Sequence, residues 1–158
     1  MINNFKGPND WASNFSVLQN PIMVGNLIFK TNEHFFAAHK TLIYEERVWI
    51  ANQPTAREAK WAGSQKGYKG RKITLRNDWQ PAVQINVMKL GLTLKFILNY
   101  DMATKLINSW PKILIEGNWW HDNFWGDCYC KKCENIEGQN NLGIQLMKLR
   151  TLLMKIRI

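Results

Sequence analysis

Two stretches of this chain set a carboxylate among aromatic rings. One is Thr31-Asn32-Glu33-His34-Phe35-Phe36, with Lys40 seven positions beyond Glu33; the other is Asp122-Asn123-Phe124-Trp125-Gly126. A site that stabilises charge on a flat, ring-bearing ligand uses this combination, because indole faces stack on rings and burial tunes a carboxylate. The Glu33–Lys40 spacing is two helical turns, which predicts one shared helix face. An exposed helical ion pair is the plain reading of that spacing. The apolar residues directly after Glu33 favour partial burial instead, where a carboxylate and an amine can act on one substrate.

Other residues of the right type lie further along. Trp79 follows a basic loop and reads as core filler or as a stacking platform. Trp119, Trp120 and Trp125 crowd a polar segment, which is unusual, since core tryptophans normally sit on regular elements. Glu116 ends an apolar run, and Gly126 would permit a sharp turn placing Asp122 and Trp125 on one rim. Gly138-Gln139-Asn140-Asn141-Leu142-Gly143 precedes the last helix, whose first N–H groups could bind phosphate, although the G-x-G-x-x-G spacing is absent. Cys128-x-Cys130-x-x-Cys133 offers three thiolates from one loop and could hold a structural zinc, with His121 or Asp127 as fourth ligand. Free thiols are the plain alternative, and three cysteines in all argue against a disulfide framework.

The elements that must position these residues are mostly helical. Gly25-Asn26 suits a tight hairpin. Thr31 or Asn32 caps a helix predicted from Glu33 to about Val48. A short helix over 54–62 ends at Gly63, and residues 64–72 form a basic loop. The longest helical pattern opens at Asp78-Trp79-Gln80-Pro81 and carries Val83, Val87, Leu90, Leu94, Ile97 and Leu98 at three- and four-residue steps. Asn99-Tyr100-Asp101 breaks it, Met102–Ser109 is a further helix, and Pro111 stops that one. Ile113–Glu116 reads as a buried strand, 117–139 is irregular, and a last helix runs from Leu142 to about Met154. The expected fold is α+β and predominantly α-helical, one domain over 1–158 with a small sheet.

Bulk composition narrows the setting. With 158 residues, 46% of them hydrophobic and 21% charged, the chain is an ordinary folding sequence and not a disordered one. No apolar run of membrane-spanning length is apparent, and Met1-Ile2-Asn3-Asn4-Phe5-Lys6 lacks the features of a secretory leader, so a cytoplasmic location is expected. The formal charge of +9 points to a solvated basic surface or to a phosphate-bearing partner. Its clusters are Lys66, Lys69, Arg71, Lys72 and Arg76, and the tail residues Lys148, Arg150, Lys155 and Arg157.

Taken in order, Ser13-Asn14-Phe15, Thr31-Asn32-Glu33-His34 with Lys40, Trp79, Lys95-Phe96 and Ile115-Glu116 form the first part of a longer series. Asp122-x-x-Trp125-Gly126 and Asn140-x-Leu142-Gly143, with Leu146-Met147 and Arg150, complete it over nearly the whole chain. The series resembles the NADAR family, also called YbiA-like. The resemblance implies a YbiA-like fold and an N-glycosidase that breaks a ribosyl C1′–N bond without a catalytic metal. It implies Glu33, Lys40 and Asp122 as catalytic groups. Asn14, Phe15, His34, Trp79, Glu116, Trp125, Gly126 and Asn140 would contact substrate. Lys40 would act as an acid or attack C1′ to form an imine.

Two substrate classes follow from the family: ADP-ribose on guanine in DNA, and phosphoribosylamino-pyrimidine intermediates of riboflavin synthesis. The positive charge tilts the reading toward DNA. A non-catalytic module that binds ADP-ribose or nucleic acid is the rival. Partners are thus a modified nucleic acid or a phosphorylated ribosyl compound, with no membrane and no obligate protein partner. Ala37-Ala38-His39 departs from the glutamine that many members carry there. The cysteine-bearing segment 127–138 is associated with phage-type relatives acting in a host cytosol.

Overall fold

The computed structural model describes residues 1–156; Arg157, counted above in the basic tail, lies outside the described residues. The fold is α+β and predominantly helical. The chain divides into two compact units, one formed by Asn14–Asn99 and the other by Met1–Ser13 with the chain from Tyr100 onward.

In the unit Asn14–Asn99, β1 (Ile22–Val24) and β2 (Leu27–Phe29) form an antiparallel hairpin. Its two-residue turn is Gly25-Asn26, as expected, with Gly25 at φ +57°. Four helices follow: α1 (Asn32–Ala38), α2 (Tyr44–Ala51), α3 (Ala56–Ala62) and α4 (Pro81–Leu98). Every residue of α1 is buried, with α2, α3, α4 and β2 packed around it. Helix α3 comes close because its partner surface is small: Ala37, Ala38, Ala59 and Ala62 are fully buried, and a Cβ on Gly63 would lie 2.9 Å from that of Ala37.

The helix expected from Glu33 to Val48 is two helices. It ends at His39, whose ring Nδ1 donates to the Phe35 carbonyl (2.6 Å) and whose ring packs on that of Phe35. The intervening Thr41 offers its chain an alternative to helix. Its hydroxyl donates to Glu46 (2.5 Å) and accepts from the Ile43 N–H. Glu46 in turn accepts from the N–H and hydroxyl of Thr74. The break therefore depends on a residue 33 positions after Thr41, which no local pattern contains.

Helix α4 has the expected extent but a different buried face. Met88, Gly91, Leu92, Lys95 and Phe96 point inward, while Leu90, Ile97 and Leu98 are exposed. Gly91 decides this. A Cβ there would sit 2.1 Å from Asn32 Oδ1 and 2.8 Å from the Phe35 ring, so α1 crosses where α4 has no side chain. Reading only apolar types puts the stripe on the wrong side of that contact. At 18 residues, α4 is also the one helix among the described residues long and apolar enough for a membrane span. Its inward face is instead spent on α1 and β1.

In the other unit, a 3₁₀ helix (Gly7–Ala12) packs on α5 (Tyr100–Asn108), and α5 packs on α6 (Asn141–Ile156). Only Asn99 interrupts the chain between α4 and α5. Ile113–Glu116 is not a strand of a sheet: Leu114 makes a single parallel bridge to Ile2. Two-residue strands β3 (Gly117–Asn118) and β4 (Asp127–Cys128) pair in parallel. Arg150, placed above in a basic cluster, is 3% exposed; it donates to Ser109 and to the Lys112 carbonyl and lies over the Trp110 ring.

Replacing Glu46 by Ala leaves Thr41 and Thr74 without their acceptor. At about 2–3 kcal/mol for bonds to a charged group, the variant is expected to unfold at clearly lower denaturant in a urea titration; an unchanged midpoint would contradict the network.

Candidate active site

In the unit Asn14–Asn99, the start of α1 is a buried polar cluster. Thr31 caps the helix, accepting from the His34 N–H at 3.2 Å. The Glu33 N–H donates to the Asn14 carbonyl at 2.9 Å, and Asn32 donates to the Asn14 side chain at 2.8 Å. Asn14 is thus a clamp on the helix start. His34 is fully buried, with Nε2 at the Gln53 carbonyl (3.0 Å) and Nδ1 at the Thr31 hydroxyl (2.8 Å). A carbonyl only accepts, so Nε2 carries the proton and Nδ1 accepts. Burial lowers the His34 pKa and keeps the ring neutral. Both nitrogens are committed within the unit, so the ring positions α1 and has none left for a substrate.

Glu33 is 7% exposed, and Lys40 is half-buried just past the end of α1. The two do not share a helix face as the spacing predicted, because the helix has already ended. They are nevertheless coupled. Burial lowers the Lys40 pKa, the Glu33 charge opposes that, and Lys60 adds to it. The Lys40 backbone is fixed on both sides, its N–H donating to Ala37 and its carbonyl accepting from Arg76. Its ammonium lies 5.5 Å from the centroid of the Phe36 ring, and Phe36 packs on Trp79 at 5.3 Å. Trp79 keeps partial exposure, and exposed Phe15 lies under Lys60 Nζ at 5.8 Å. One amine, one carboxylate, a second cation and three rings therefore gather around α1. Lys60 escaped the sequence reading, since it looks like an ordinary surface lysine; only the close α1–α3 packing brings its charge to bear on Lys40.

The Asp122–Gly126 stretch belongs to the other unit. Asp122 Oδ1 accepts from the N–H groups of Phe124 (3.2 Å) and Trp125 (2.8 Å), closing a tight turn. Buried Asn118 holds that turn from beneath, donating to the Asp122 carbonyl and accepting from its N–H. The Phe124 and Trp125 rings meet edge to face. Gly126 is needed for close approach and not for a left-handed turn: a Cβ would lie 2.0 Å from the Glu116 carbonyl.

The phosphate site expected before the last helix is filled by the chain itself. N–H groups of Gln139, Asn140, Asn141 and Leu142 donate to the carbonyls of Asn123, Gly126, Phe124 and Trp125 respectively. These bonds fasten the 122–126 turn to the start of α6. The Asn140 side chain is likewise committed, accepting from the Glu116 N–H and donating to the Leu114 carbonyl. Asn140 therefore sets the backbone at Glu116, a role its position in a motif could not reveal.

His121, Cys128, Cys130 and Cys133 gather in the same unit, with their ligand atoms within 4.8 Å of one another. Asp127, the other fourth ligand considered, instead accepts from the Gly138 N–H.

Comparison with known proteins defines the class. N-glycosidase YbiA from Shigella boydii serotype 4 (strain Sb227) is 31% identical over 152 residues, covering 95% of this chain and 86% of the relative. The protein of the same name from Escherichia coli (strain K12) matches with the same identity and coverage. The solved NMR structure of E. coli YbiA superposes with a TM-score of 0.77 at 28% identity, covering 99% of this chain and 89% of that one. This chain is accordingly a hydrolase of N-glycosyl bonds. The NADAR domain matches residues 4–154, and the chain belongs to the NADAR family.

The Lys40 surroundings carry a signed prediction. Glu33→Gln removes the charge that holds the Lys40 pKa up and should lower it further, whereas Lys60→Ala should raise it. NMR titration of the lysine side chain reads both; identical titrations in the two variants would contradict the coupling.

Proposed function

We propose that this chain removes ADP-ribose from guanine in DNA, with Lys40 as nucleophile and Glu33 as its partner carboxylate. The observation that carries the reading is the half-buried Lys40 amine, its basicity lowered by burial, under the charge of the buried Glu33 carboxylate and 5.5 Å from the Phe36 ring that packs on Trp79. A lysine of ordinary pKa is almost wholly protonated near neutral pH and is a poor nucleophile. Burial gives Lys40 a larger neutral fraction.

The neutral amine attacks C1′ and the C1′–N bond to guanine breaks; the lysine nitrogen, now carrying an extra proton, passes it through the Glu33 carboxylate to the departing base nitrogen. The lysine–C1′ adduct then opens the ribose ring, O4′ gaining a proton as the C1′=N imine forms. Water adds to C1′, and collapse returns the free amine and the released ribosyl product. Positive charge grows at C1′ during the first step, and a carboxylate close to it stabilises that charge. Trp79, partly exposed and backed by Phe36, offers a face for the base, and Lys60 a charge for phosphate. Asn14 and His34 act by holding α1.

DNA is preferred over a small phosphorylated metabolite because of the net charge of +9. Of the basic loop, Lys69 is paired with Glu58 and Arg76 with Asp78, while Lys66, Arg71 and Lys72 remain exposed. Attraction to a phosphate backbone falls with salt, whereas turnover of a small substrate depends on it less. The alternative is a phosphoribosylamino-pyrimidine, which the same chemistry would cleave. The proposed reaction uses the chain's own side chains, and a cytoplasmic location is part of the proposal.

The test is a release assay with ADP-ribosylated guanine in single-stranded DNA beside the ribosylamino-pyrimidine phosphate. Free ADP-ribose from the DNA, suppressed by salt, is the expected result; turnover of the pyrimidine alone would reject the DNA assignment, and binding of either without cleavage would reject catalysis. Glu33→Gln should lower the rate by about 10²–10⁴-fold, the usual worth of a positioned acid–base group, with the fold intact by circular dichroism. Asp122→Asn, read by activity alone, tests the carboxylate of the other unit.

A further inference from the structure

We propose that His121, Cys128, Cys130 and Cys133 form a closed structural zinc site. His121 Nδ1 lies 3.1 Å from Cys130 Sγ and 3.4 Å from Cys133 Sγ, and all four donor atoms fall within 4.8 Å of one another. Tetrahedral zinc with Zn–S near 2.3 Å and Zn–N near 2.0 Å separates its ligand atoms by roughly 3.5–3.8 Å. The donors already stand close to that spacing.

Four further observations point the same way. The cysteines are free, although two of them are buried, and an odd set of three thiols has no complete disulfide pairing. His121 adopts φ +66°, which a residue with a side chain rarely does, and its backbone N–H donates to Cys128 Sγ at 3.3 Å. That conformation aims the ring at the thiols and supplies a donor to one of them, as supporting bonds around a metal do. Lys131 and Lys132 flank the cluster in the short helix Lys131–Cys133; three thiolates and a neutral imidazole around Zn²⁺ leave one negative charge, which they offset. A surface hollow of about 870 Å³ lined by Trp119, Cys128, Cys130 and Cys133 gives an ion its way in.

With four protein ligands no position remains for water or substrate, so the ion is structural. Its work is to close a segment that has little other regular structure than the two-residue strands β3 and β4. Cys128 lies on β4, and its strand partner Asn118 grips the Asp122 turn. The zinc therefore steadies the turn that presents Asp122. This last consequence rests on the glycosidase reading; the metal site itself does not.

The full-length chain, purified under reducing conditions without chelator, should contain about one zinc by elemental mass spectrometry. Exchange with Co²⁺ should give thiolate-to-cobalt charge-transfer bands and the intense visible bands of tetrahedral cobalt. Cys130→Ser, at the most accessible of the three thiols, should weaken those bands and speed zinc loss to a colorimetric chelator. Glu33→Gln should keep the zinc while losing turnover, which separates the two proposals. A fully reduced chain that takes up neither Zn²⁺ nor Co²⁺ overturns the site, as does a bound cobalt spectrum without thiolate bands.

Discussion

A helix buried on every side must find a partner inside the protein for each polar group it carries, since an unmade hydrogen bond there costs about 1–3 kcal/mol. Helix α1 is in that position, with Asn32, Glu33 and His34 in its first turn. Thr31, Asn14 and Gln53 meet most of that demand from three separate stretches of chain, leaving Asn32 Oδ1, beside Gly91, without a hydrogen-bond partner among the described residues. The result is a buried platform that carries the Glu33 carboxylate with it. Lys40, leaving the end of that platform, inherits its low-polarity setting and the Glu33 charge together. The proposed chemistry follows from this: an amine made less basic by its surroundings, yet reachable.

Packing enforces the arrangement. Alanines on α1 and α3 and Gly63 let the two helices approach until Lys60 bears on Lys40, and Gly91 lets α4 cross directly over Asn32. Small residues here serve the charged ones, because each missing side chain is the space that brings a polar group into range. The Asp122 turn is built differently. Its supports are hydrogen bonds from Asn118, Asn140 and the first N–H groups of α6, a lattice of backbone contacts in place of an apolar core.

What could be read from residue types was local. The hairpin at Gly25-Asn26, the Thr31 cap, the end of α3 at Gly63 and the extent of α4 all depend on chemistry within a few positions. The Glu33–Lys40 pairing was visible too, although for the wrong geometrical reason. What escaped depended on distant partners. The break after His39 needs Thr41 and Glu46 to find Thr74. The buried face of α4 is set by what Gly91 lets in. His34 and Asn140 read as substrate contacts because they sit in motifs, but His34 also bonds the Gln53 carbonyl and Asn140 the backbone at Leu114 and Glu116, partners whose positions no spacing encodes. The amides before α6 looked available for phosphate until their carbonyl partners at 123–126 were in place.

The account stands or falls on Lys40 as a nucleophile. Reaction of ADP-ribosylated DNA with the protein in the presence of borohydride, followed by peptide mass spectrometry, tests it directly: reduction should freeze a ribosyl adduct on Lys40, and Lys40→Arg should give none. Full turnover with no trapped adduct, or an adduct mapped to another lysine, would contradict it.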